Sequence, residues 1–168
     1  MGCFQKLFDG LLLVYFLFMA VIIPLFDGQS CIPRSFFPDI LVNLKDIYAR
    51  EYGDYLVAER PHFFVGLVGL ELAFHWPLCL ANLVGILGSK PWFPTTCLVY
   101  GVSLVTSMAA ILPDLMWSSK SSDKLVMVYS PFLGIGVLAM LRGLLSHSRK
   151  TPFSAGGSRP SLVRKKRA

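Results

Sequence analysis

Residues 63–87 read FFVGLVGLELAFHWPLCLANLVGIL. The run holds one acid, Glu71, one histidine, His75, and no lysine or arginine. As a helix rising 1.5 Å per residue it is longer than the ~30 Å of bilayer hydrocarbon. A backbone crossing lipid must satisfy its own N–H and C=O groups, and an isolated strand cannot. The stretch therefore predicts a transmembrane helix.

Working outward, three more runs of similar length and character follow the same rule: residues 7–26, 95–116 and 125–145. Composition agrees, with 54% hydrophobic residues, 15% charged residues and a mean hydropathy of +0.59. A soluble domain carries about 25% charge. The expectation is an all-α membrane protein with four transmembrane helices in a bundle. One domain spans residues 1–147, followed by a disordered basic tail over 148–168, rich in Ser, Gly, Pro and Arg. The first run reads as a retained span and not a cleaved leader, because its apolar core is long and no small-x-small site precedes Cys31.

Between the first two spans, Phe37, Ile40, Leu41, Leu44, Ile47 and Tyr48 recur at helical spacing among Asp39, Lys45, Asp46, Arg50 and Glu51. This is an amphipathic helix that lies on the membrane or plugs the mouth of the bundle. The links at 88–91 and 118–124 are short and make neighbouring spans antiparallel.

Net charge is +6, yet the last 27 residues hold eight basic residues and no acid, leaving the body at −2. The basic character thus belongs to the tail, which argues for a cytoplasmic anchor beside the last span and against nucleic-acid binding. Counting Lys and Arg near the helix ends places both termini in the cytoplasm. Lys165 and Lys166 stand fourth and third from the last residue, the spacing of a dilysine retrieval signal for the endoplasmic reticulum. The four cysteines form no CxxC pair or zinc spacing, and no metal or cofactor is expected.

Chemistry concentrates in the second span. Glu71 and His75 are four residues apart on one helix face, at a depth where ionisable groups are costly and face the bundle interior. Pro77 removes a backbone donor beside them and bends the helix. Asp27 ends the first span and Asp54 closes the amphipathic stretch; each taken alone is a boundary residue. A loop folded back over the bundle would bring both near Glu71, and the cluster would hold a protonated amine against aromatic rings. Further lining candidates are Tyr100, Ser103, Thr106 and Ser107, then Tyr129, Ser130 and Phe132.

The segments ELAFHWP (71–77), Phe26-Asp27, YGDYL (52–56) and VYSPF (128–132) resemble the EXPERA family, in particular its sigma-2 receptor branch and plant members. A more distant likeness is to the emopamil-binding sterol isomerase. The resemblance covers about residues 8–147. It implies that Asp27 is the ligand-contacting aspartate, that Asp54 helps to hold it, and that Glu71 is the buried glutamate. Tyr100, Thr106 and Tyr129 fall where the family lines its pocket. The implied ligand is a sterol or cationic amphiphile bound in the endoplasmic reticulum membrane, with cholesterol homeostasis as the setting. The implied assembly is a homodimer working with a sterol-transport protein. Two departures stand out: His75 replaces a glutamine of the animal receptor, and Phe132 replaces a pocket tyrosine. The isomerase carries a histidine one turn before its glutamate, where this chain has Leu67. A Glu71/His75 proton relay is thus the alternative, and a receptor without enzymatic activity the main reading.

Overall fold

The computed structural model describes residues 3–148, with side chains from 5 to 145; the tail bearing Lys165 and Lys166 lies outside the described residues. The described chain is helical with no strand. In order it forms α1 (Cys3–Leu25), two short 3-10 turns (Asp27–Ser30 and Arg34–Phe36), α2 (Asp39–Tyr52) and α3 (Tyr55–Glu59). Then come α4 (His62–Leu70), a π-helical turn (Glu71–His75), α5 (Trp76–Leu87), α6 (Phe93–Trp117) and α7 (Asp123–Ser148). The four spans run Gln5–Ser30, His62–Leu87, Phe93–Trp117 and Asp123–Leu145, with mean hydropathies of 2.3, 1.7, 1.7 and 1.8. This is the four-span all-α membrane architecture expected.

Prolines shape the spans. Pro24 has no N–H to give Ala20, and the Trp76 indole N–H from α5 donates to that carbonyl instead at 3.0 Å. Pro131 likewise deprives Met127, whose carbonyl accepts from the Ser130 hydroxyl at 3.5 Å. Pro77 would drive its ring into the Ala73 carbonyl. The helix widens there, and the Trp76 N–H reaches five residues back to Glu71. The bend expected at Pro77 is therefore a π bulge.

Helices α6 and α7 pack more closely than any other pair, through small residues. A Cβ on Gly101 would stand 2.5 Å from the Met140 backbone nitrogen, and one on Gly143 2.5 Å from the Leu98 Cβ. Small residues let transmembrane backbones approach where no hydrophobic force separates protein from lipid. At one end of the bundle Arg142 of α7 donates from Nε to Asp9 of α1 at 2.6 Å and lies over the Phe93 ring. Only 4% of Arg142 is exposed.

The segment between α1 and α4 folds over the other end. Its helix forms as expected, but its apolar stripe does not all face one way. Leu41, Val42, Lys45, Tyr48 and Ala49 turn inward, while Ile40 (77% exposed), Leu44 and Ile47 point outward. The inner face meets the unwound end of α1, whose carbonyls need donors, so a lysine is buried there. Gly53 closes α2 in the left-handed region (φ 64°), its N–H bonding Ala49, a conformation that suits glycine at a helix end. Asp54 then caps α3 by accepting from the Val57 N–H at 3.1 Å.

The glycine contact makes a prediction. Gly101→Val should destabilise the protein by about 1–3 kcal/mol through overpacking. Gly134→Ala, whose Cβ meets nothing within 4 Å, should not. Thermal melts in detergent followed by circular dichroism measure both, and an unchanged midpoint for Gly101→Val would remove the α6–α7 contact from the account.

Candidate functional site

A cavity of about 320 Å³ lies inside the bundle. Its walls are apolar: Phe18, Met19 and Ile22 of α1, Phe64, Leu67 and Val68 of α4, Leu104, Met108 and Ile111 of α6, and Val128 and Phe132 of α7. Phe26, Tyr48 and Val57 close the end beneath α2 and α3. Six of the sequence-derived candidates line it: Asp27, Glu71, His75, Ser107, Tyr129 and Phe132. The inner end is capped by an aromatic layer in which the Tyr15 and Tyr100 hydroxyls bond at 3.0 Å and Tyr100 lies 5.1 Å from the His75 ring. From Tyr15 to Asp27 along α1 is twelve residues, roughly 18 Å of helix. The cavity is mostly apolar, with a few polar groups in its wall.

Each polar group has a definite setting. His75 is buried and shares a hydrogen bond with Ser103 of α6 at 2.8 Å. Among the described residues the Glu71 carboxyl group makes no hydrogen bond, to His75 or to any other side chain, and neither does that of Asp27. Asp54 is fully buried behind the wall, accepting from the Tyr129 hydroxyl at 3.0 Å and from Val57. The Ser107 hydroxyl lies in the wall, buried and without a hydrogen-bond partner. A buried hydroxyl left unmatched costs free energy that a polar ligand group would recover.

Three candidates take other places. Asp54 holds Tyr129 and does not touch the cavity. Tyr100 is fully buried in the aromatic layer behind His75. Thr106 corrects the expectation outright: it is exposed on the outer face of α6, where its hydroxyl bonds the Val102 carbonyl of its own helix at 2.9 Å. One residue is a turn of about 100° on a helix, so Ser107 faces in and Thr106 faces out. Ser130 is also exposed.

One charged group near the site escapes a periodicity reading altogether. Lys45 is 3% exposed and donates from Nζ to the Phe26 carbonyl at 2.7 Å and to the Ser30 hydroxyl at 2.8 Å, over the Phe26 ring. Burial pulls its pKa down to about 8, against the attraction of Asp27. On an amphipathic helix a lysine reads as solvated, so no sequence signal marked it. Tyr48, on the same helix, has its pKa raised by burial and by the neighbouring Asp54 carboxylate.

The family model described as EXPERA (EXPanded EBP superfamily) matches residues 40–143, well over half of the chain. Sigma intracellular receptor 2 of Macaca fascicularis is 29% identical over 153 residues, covering 82% of this chain and 87% of that protein. The protein of the same name from Homo sapiens gives the same figures. That from Xenopus tropicalis is 26% identical over 159 residues, covering 87% and 93%. The chain belongs to the EXPERA family.

Asp54 generates the prediction here. Asp54→Ala removes a helix cap and strands the buried Tyr129 hydroxyl, and should cost about 2–3 kcal/mol. Tyr129→Phe, which leaves the cap in place, should cost about 1 kcal/mol. Melting both variants in detergent ranks them; equal losses would mean that the cap contributes nothing.

Proposed function

We propose that this EXPERA protein binds a sterol, or a cationic amphiphile of similar shape, in the cavity between α1, α4, α6 and α7. It acts as a binding protein in sterol homeostasis or trafficking. The observation that carries this reading is the pairing of an apolar cavity with polar groups that make no hydrogen bond among the described residues: the Asp27 and Glu71 carboxyl groups and the Ser107 hydroxyl. Apolar walls with a few convergent polar groups are the usual form of a small-molecule site. A rigid ring system suits the walls, and a hydroxyl or ammonium suits the polar groups. Similarity to sigma intracellular receptor 2 supports a receptor over a catalyst. So does the position of His75, which is engaged with Ser103, while Leu67 in the wall one turn before Glu71 offers no proton. Sterol double-bond isomerisation by a Glu71/His75 relay is the alternative. The setting is the endoplasmic reticulum membrane with both termini cytoplasmic, as a homodimer or alongside a sterol-transport partner.

Binding is tested with a matched pair of ligands, cholesterol and its 3β-amine, which differ in charge and little else. Asp27→Asn keeps size and hydrogen bonding but removes a negative charge. It should weaken the amine by at least tenfold and cholesterol by no more than about twofold, since the neutral sterol is held by apolar burial. Competition titrations on purified protein give both values. Equal losses would mean damage to the fold, and no loss would make Asp27 a helix-end residue only.

Orientation is tested by glycosylation mapping. An acceptor site placed on a spacer in the 118–122 link should be modified, and one in the tail should not. Modification of the tail alone would reverse the orientation.

A further inference from the structure

The cavity's ends differ in one respect that a sterol or an amine would feel differently. At the α2 end, where Asp27 faces inward, the protein has placed a cation of its own. Lys45 cannot swing away: its ammonium donates to the Phe26 carbonyl and the Ser30 hydroxyl, lies over the Phe26 ring and is sealed from solvent. Phe26 and Asp27 are themselves cavity-lining residues, so this ammonium stands directly behind the wall at the point where a ligand's head group would meet Asp27. The charged or titratable groups within its field are Asp27, Asp54, Glu71, Arg60 and Cys31. Asp54 is held by Tyr129 and Val57, which leaves Asp27 and Glu71 as the cavity-lining acids that feel Lys45, Asp27 being next in the chain to Phe26, whose carbonyl the ammonium bonds.

We propose that Lys45 sets the charge specificity of the cavity, serving as a built-in counter-cation to Asp27 so that a neutral, hydroxyl-bearing sterol is taken in preference to its protonated amine. The inference rests on the sterol-binding reading above and selects within it. An incoming ammonium at Asp27 meets a like charge behind the wall. In surroundings of effective dielectric near 20 such a pair repels enough to lower affinity by about tenfold or more. A hydroxyl feels no such repulsion and can still donate to the carboxyl group. The burial of the lysine supports this role, because a buried ammonium needs a nearby anion to offset its desolvation. Asp27 meets that need without closing a salt bridge that would fill the mouth.

The test is the ratio of dissociation constants for cholesterol and its 3β-amine, measured by displacement of tritiated cholesterol from purified full-length protein in nanodiscs. Wild type should prefer cholesterol. Lys45→Met should tighten the amine by about tenfold and leave cholesterol within about twofold. Lys45→Gln, whose amide can still donate to Ser30, should do the same and covers the case in which the methionine variant fails to fold. Lys45→Arg should keep the wild-type ratio. A ratio unchanged in both neutral variants, or a parallel loss of both ligands, would overturn the proposal and leave Lys45 as an anchor of α2. Failure of wild type to bind either ligand would instead overturn the sterol reading, and this inference with it.

Discussion

A carbonyl stripped of its hydrogen bond inside hydrocarbon costs several kcal/mol, and the arrangement of this bundle follows from avoiding that cost. Five prolines, Pro24, Pro77, Pro94, Pro113 and Pro131, sit within the spans. Where Pro24 frees the Ala20 carbonyl, Trp76 crosses from α5 to cap it, which fastens α5 to α1 at the level of the cavity. Where Pro77 threatens the Ala73 carbonyl, the helix opens into a π turn. That turn carries Glu71 and His75, so a backbone defect and the acidic wall of the cavity are one feature. The Cys79 thiol donates to the Phe16 carbonyl at 3.0 Å and adds a second rivet to the same pair of helices.

Around these fixed points the bundle divides into a tight half and an open half. The pair α6–α7 is closed by glycines and bound to α1 at one end by the Arg142–Asp9 ion pair. Toward the other end the cavity lies between α1, α4, α6 and α7, closed by Phe26, Tyr48 and Val57. Helices α2 and α3 cover the mouth without filling it. The carbonyls at the end of α1 draw donors to this place: Gln29 of the turn that follows donates to the Leu25 carbonyl at 2.7 Å, and Lys45 of α2 to that of Phe26. The outer face of α2 shows Ile40, Leu44 and Ile47, as a helix resting at a membrane surface would. The loop between the first two spans is thus a cover whose inward charge faces the cavity's acid.

The chemistry of the cavity comes from what its polar groups are denied. His75, Tyr100, Asp54 and Tyr129 are each bonded to another side chain and hold the walls in place. Among the described residues, Asp27, Glu71 and Ser107 face the cavity without such a partner. Membership in the EXPERA family and the likeness to sigma intracellular receptor 2 place these groups in a multi-pass membrane protein of that family.

The four spans, their ends and the helical nature of the 39–52 stretch were legible in the sequence, because run length and 3.6-residue spacing are local properties that lipid enforces. Glu71 and His75 were legible for the same reason, since ionisable residues at that depth have nowhere to go but inward. The rotation of each helix about its own axis was not local. Thr106 and Ser107 are adjacent and chemically alike, and only the docking of α6 on α7 through Gly101 and Gly143 turned one to lipid and the other to the cavity. Lys45 was hidden more deeply still. Its burial depends on carbonyls freed at the end of α1, nineteen residues away in the chain, and a lysine is buried only where folding brings such acceptors and an acid to meet it.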